Sequence, residues 1–160
     1  MNPLLQSVQL ALQNATQKEA LAFIDRVVDF CIEMENGKVL DGWPRHLIKL
    51  LVAYHMAKDT IIIKQGKEGK ILGVLMWYHC NEDDDWFFVK NWRSDRSNGD
   101  AIFMAFLFAM DNLTFKQITH DFIVKCPDVM HKKLLGIRYR NSAPTRVVYS
   151  TKLFKKILGV

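Results

Sequence analysis

Hydrophobic and polar positions change period twice along this chain. In "TQKEALAFIDRVVDFCIEM", Ala20, Ile24, Val27, Val28, Cys31 and Met34 recur at three- and four-residue spacing, which predicts one buried helix face. Thr16 and Glu19 precede that stripe as a capping box. "DGWPRHLIKLLVAYHM" predicts a further helix, with Pro44 in its first turn and Leu47, Ile48, Leu51 and His55 along one stripe. The period then becomes strand-like. "TIIIK" (Thr60–Lys64), the turn-rich "QGKEGK" and "ILGVLMWYHC" (Ile71–Cys80) predict a hairpin. The acidic loop "NEDDD" follows, and "WFFVKNW" (Trp86–Trp92) predicts a third strand.

A polar elbow, "RSDRSNGD", separates that strand from "DAIFMAFLFAMDN". The second stretch is apolar on all sides and of helix length, so it predicts a buried helix from Asp100 to Asn112. "HDFIVK" (His120–Lys125) reads as a strand. "CPDVMHKKLLG" reads as a short helix begun by Pro127 and ended by Gly136. "GIRYR" and "TRVVYSTKLF" read as closing strands around the turn "NSAP". The expected order is three helices, three strands, helix, strand, helix and two strands. That order predicts an α/β protein with a mixed sheet. Trp86–Trp92 and His120–Lys125, joined by the helix between them, form a β-α-β crossover and are expected to run parallel. No repeat or linker divides the 160 residues, which are expected to form one domain. Residues 1–57 supply a helical N-terminal part, and 58–160 supply the sheet.

Composition adds limits. The longest apolar run, Ala101–Met110, covers about half of a membrane span, so no transmembrane helix is expected. "MNPLLQSVQLALQN" lacks the basic start and cleavage site of a signal peptide. Cys31, Cys80 and Cys126 are widely spaced and odd in number, which points to reduced thiols and a cytoplasmic location. Charge is divided unevenly. Residues 1–124 hold 13 Lys/Arg against 16 Asp/Glu, whereas residues 125–160 hold 9 against the single Asp128. A basic C-terminal third predicts an anionic partner, which a nucleotide, a nucleic acid or an acidic protein would satisfy. The plain alternative is a solvated basic face.

The elbow raises the sharpest chemical expectation. If a helix opens at Asp100, its free N–H groups and positive dipole end form an anion cradle beyond a strand end. Gly99 would allow close approach, and Arg93 and Arg96 would add charge-assisted bonds to phosphate. Here the sequence resembles the GNAT family of acyl-coenzyme A N-acyltransferases. Their signature is Arg or Gln, two residues, Gly, one residue, then Gly or Ala, and Arg96-Ser97-Asn98-Gly99-Asp100-Ala101 matches every fixed position. "HKKLLGIRYR" also resembles the stretch after the family's fifth strand. The resemblance spans roughly Pro44 to Tyr149. It implies a GNAT-like mixed sheet with splayed central parallel strands, helices on both faces and a helical N-terminal segment. It further implies acetyl-CoA or another acyl-CoA as co-substrate, no metal, and transfer of the acyl group to a primary amine. Main-chain groups of Arg96, Ser97, Asn98, Gly99, Asp100 and Ala101 would then hold the pyrophosphate. Val89, Lys90 and Asn91 would pair with the pantetheine arm, and one of their N–H groups would polarise the thioester carbonyl.

Such a reaction needs a base for the amine and an acid for the leaving thiolate. Glu82 and His79 are the candidate bases, beside an acidic loop that would attract a cationic amine. The family's tyrosine acid is replaced by "MHKKLLG", so His131 or Lys132 would substitute, with Tyr139 as another candidate acid. Asp100, just inside the cradle, would repel a pyrophosphate, and it fits as a helix cap with no phosphate bound. A looser echo links "GWP", two strands and "WFFVKNW" to toxin-activating acyltransferases of the same fold. Both of their catalytic positions are lost here, at "VLDG" and Asn91. The rival to catalysis is an inactive GNAT-like binding module whose basic residues 125–160 hold nucleic acid or an acidic protein. The apolar helix Ala101–Met110 is expected to be sandwiched between the sheet and the N-terminal helices; the alternatives are that one side builds a homodimer interface or lines a pocket for a longer acyl chain.

Overall fold

A computed structural model describes residues 3–35, 42–83, 98–140 and 143–159. The chain opens with α1 (Pro3–Glu35), a single helix. Thr16 and Glu19 therefore lie inside α1 rather than capping its start. Its C-terminal half carries the buried face: Val27, Val28, Phe30 and Cys31. Helix α2 (Arg45–Lys58) begins after extended Pro44 and buries Ile48, Leu51, Val52 and His55. Asp25 and Asp29 of α1 pair with Arg45 of α2, and Lys49 reaches Asp25 at 3.1 Å. The hydrogen bond from Lys49 holds the Asp25 carboxyl below its usual range. The expected hairpin is present as β1 (Ile61–Gln65) and β2 (Ile71–Cys80), antiparallel and joined by a short 3-10 turn.

The next four expectations change. Ala101–Ala109 is a strand, β3, and the expected helix Asp100–Asn112 does not form. β3 is central in the sheet, between β2 and β4, and both of its faces are covered. Ala101, Phe103 and Phe106 join the core built by α1 and α2, whereas Ile102, Met104 and Leu107 face a second core on the opposite side. A strand covered on both faces is apolar at every position and loses its alternation. His120–Lys125 belongs to helix α3 (Asn112–Lys125), which buries Thr114, Ile118, Thr119 and Phe122 on one face. Only Pro127–Met130 forms a helical turn, and β4 (Lys133–Arg140) runs through Gly136. β5 (Ala143–Tyr149) ends at Ser150, whose hydroxyl accepts from the Lys152 amide and starts helix α4 (Thr151–Leu158).

The result is a five-stranded mixed sheet in sequential order β1-β2-β3-β4-β5, with β3 and β4 parallel and every other pair antiparallel. Helices cover both faces. α1 and α2 lie on one, and α3 and α4, with Phe122 against Phe154, lie on the other. The parallel crossover exists but is β3-α3-β4, one element later than the sequence implied. The expected strand Trp86–Trp92 lies outside the described residues. Pairing between β3 and β4 covers only Ala101↔Lys133 to Met104↔Gly136. Past that point β3 continues along β2 to Ala109 and β4 continues along β5 to Arg140, each without the other.

Candidate functional site

The candidate residues fall at opposite ends of the parallel pair. Ala101 is the first residue of β3, paired with Cys80 on one side and Lys133 on the other, and it is fully buried. The elbow thus enters a strand at its amino end, so the cradle expected from a helix start at Asp100 is not formed. Asp100 is engaged by its own protein. Its carboxylate accepts from the Glu82 amide at 2.9 Å, and its amide donates to the Asn81 side-chain oxygen at 3.2 Å. Gly99 does permit a close approach, but to protein backbone. A Cβ there would stand 2.1 Å from the Cys80 carbonyl oxygen. Val89, Lys90, Asn91, Arg93, Arg96 and Ser97 lie outside the described residues.

Glu82 shares this end of the sheet and forms an ion pair with Lys133. That contact, with a smaller contribution from Asp100, holds the Lys133 ammonium above its usual range. Glu82 therefore faces a cation already supplied by the protein. His79, half-buried on β2, is paired in register with Ile102. His131 is exposed just before β4, with its amide on the Asp128 carbonyl at 2.9 Å. Lys132 pairs with Asp128 at 3.7 Å. Tyr139 lies six positions beyond Lys133 on β4, about 20 Å along the strand at the usual rise. The structure brings Glu82, Asp100 and Ala101 together and leaves Tyr139 at the other end.

The helix that follows the parallel strand is α3, and its N-terminus is closed. The connection consists of Met110 and Asp111. The Met110 amide donates to the Leu72 carbonyl at 2.9 Å, and the Asp111 carboxylate accepts from the Thr114 amide at 2.7 Å. Hydrogen bonding from Thr114 holds the Asp111 carboxyl below its usual range, so it is ionised where a phosphate would have to sit.

Two features were not singled out by sequence reasoning. A cavity of about 210 Å³ lies between α3, α4 and the sheet, where β3 and β4 have parted. Met104 and Leu107 line it, so one side of the apolar run does face a pocket, from a strand rather than a helix. Arg138 stands over the Tyr149 ring at 5.9 Å beside it. Arg138 and Gly136 share a strand face by alternation, but no local pattern shows what α3 and α4 place above that face.

The second feature is how the cations are used. Arg45, Lys49, Lys64, Lys125, Lys132 and Lys133 each meet a carboxylate. Lys152, Lys155 and Lys156 project from α4, exposed, opposite buried Phe154, and meet no carboxylate among the described residues. Lys155 and Lys156 sit in the last turn of α4, where they also complement the helix dipole. Lys152 is in the first turn, where the dipole opposes it.

Among the described residues no group of three or more His, Cys, Asp or Glu is placed to hold a metal ion, and no helix is long and apolar enough to cross a membrane. No protein-family model matches the chain, and no curated protein matches it either.

Proposed function

We propose that this chain is a binding module that holds nucleic acid on the basic face of α4. The observation that carries the reading is the exposed row Lys152, Lys155 and Lys156, free of carboxylate partners among the described residues, on a helix otherwise seated by Phe154. Residues three and four apart on a helix are neighbours, so the three ammonium groups form one cluster. Lysine ammonium groups act as point charges toward phosphates and require no base-edge geometry, which suits backbone binding with little sequence preference. Fluorescence anisotropy of a labelled 20-mer duplex tests the reading. Binding that weakens steeply with salt supports it. Binding only to an acidic peptide such as poly-glutamate would transfer the face to an acidic protein, and binding to neither refutes it.

A second reading is a GNAT-like acyltransferase that moves an acetyl or longer acyl group from acyl-CoA to a primary amine. One observation favours it: β3 and β4 are parallel and part after four pairs, which leaves a cleft at their carboxyl ends. Two observations weigh against it. Asp111 closes the adjacent helix N-terminus, and Glu82 and Lys133 neutralise each other at the opposite end of the strands. A saturable rise in melting temperature with millimolar acetyl-CoA, matched by coenzyme A, would restore this reading. No shift would remove it.

A further inference from the structure

The cavity between α3, α4 and the diverging strands is a second, separate site, and we infer that it binds an amphiphilic monocarboxylate with an aliphatic body. Its walls are apolar: Met104 and Leu107 from β3, Phe115 and Phe122 from α3, and Phe154 from α4. At about 210 Å³ it exceeds the roughly 150 Å³ that admits benzene and falls below the roughly 300 Å³ at which drug-sized sites begin. A short chain fits that range, and a nucleotide does not.

Charge selects the head group. Arg138 is the one charged residue among the described lining residues, it is exposed, and it meets no carboxylate among the described residues. Tyr149 carries the guanidinium on its ring, and the ring itself packs over Gly136, where a Cβ would come within 2.6 Å of it. Gly136, Tyr149 and Arg138 therefore form a stack that holds a cation at the edge of an apolar chamber. Guanidinium and carboxylate match in planar, two-point geometry. An aliphatic carboxylate satisfies both parts of the site at once. The site is independent of the nucleic-acid reading, because Lys152, Lys155 and Lys156 take no part in it.

Isothermal titration of the full chain with octanoate, and separately with 1-octanol, tests the inference without any polyanion present. Saturable octanoate binding is expected, weakened about tenfold by Arg138→Gln, while octanol binds both proteins equally. Leu107→Trp, which fills the chamber, is expected to remove binding of both ligands; if its circular dichroism shows loss of fold, Met104→Phe replaces it. No saturable heat at millimolar octanoate overturns the site. Equal octanoate affinity in wild type and Arg138→Gln overturns the carboxylate, and undiminished binding in the filled variant overturns the location.

Discussion

Gly99→Ala separates the two accounts of the elbow in a single substitution. In an anion-binding loop, the glycine would leave room for a phosphate, and an added methyl would harm ligand binding while sparing stability. In the structure the added Cβ would lie 2.1 Å from the Cys80 oxygen and 2.5 Å from its carbonyl carbon. Both atoms are main chain in a sheet whose neighbouring residues Cys80 and Ala101 are fully buried. No rotamer change relieves such a contact, so the strands themselves must separate. Overpacking of that kind costs about 3 kcal/mol, the upper part of the usual range. For a chain of this size that is a fall of roughly 6–12 °C in melting temperature. Urea denaturation followed by circular dichroism measures the loss. Gly42→Ala is the control. Gly42 has φ +74° with nothing within 4 Å of the added atom, so only backbone strain of about 1 kcal/mol is expected. A Gly99→Ala loss below about 0.5 kcal/mol would refute the backbone contact and reopen the elbow as a ligand loop.

Asp111→Ala is expected to lower the melting temperature at neutral pH, with Asp111→Asn retaining most of the cap. Because the folded carboxyl titrates below its usual 3.8, the difference between wild type and Asp111→Ala should persist above pH 3.8 and shrink as pH falls through the folded value. Burial pushes the Cys31 thiol up to about 12, so alkylation at pH 8 should leave Cys31 unmodified until denaturant is added; labelling of the native protein there would contradict its placement. Gly136→Ala meets the movable Tyr149 ring rather than backbone, so it should cost about 1–2 kcal/mol, less than Gly99→Ala, when both are unfolded in urea.

Sequence patterns carried the parts of this fold in which one face meets water. The β1–β2 hairpin was legible because turn residues bound two β-branched and aromatic runs, and α2 because Ile48, Leu51 and His55 alternate with exposed His46 and Leu50. The error began at β3. Its residues are covered by α1 and α2 on one side and by α3 on the other, so Ala101–Met110 shows neither a period of two nor one of 3.6. With that run read as a helix, the next segment falls to a strand by the alternation of elements. Its β-branched Ile118, Thr119, Ile123 and Val124 imitate a strand, and exposed Leu113 and Val124 blur its polar face. The parallel crossover was anticipated, but one element too early, which moved the expected cradle from the β3–α3 turn to the opposite end of β3. The charge of residues 125–160 was plain from the sequence. That Lys133 and Lys132 are used up in pairs while the α4 lysines are not required the structure.

Salt dependence of duplex binding reports how many phosphates the α4 lysines neutralise. Lys152, Lys155 and Lys156 are exposed, so replacing all three with Gln leaves the core intact and keeps residues of similar helix propensity. If each contacts one phosphate, the slope of log K against log salt for the wild type should exceed that of the triple variant by about 2.7. Identical slopes, or no binding by the wild type at 50 mM salt, would contradict the account.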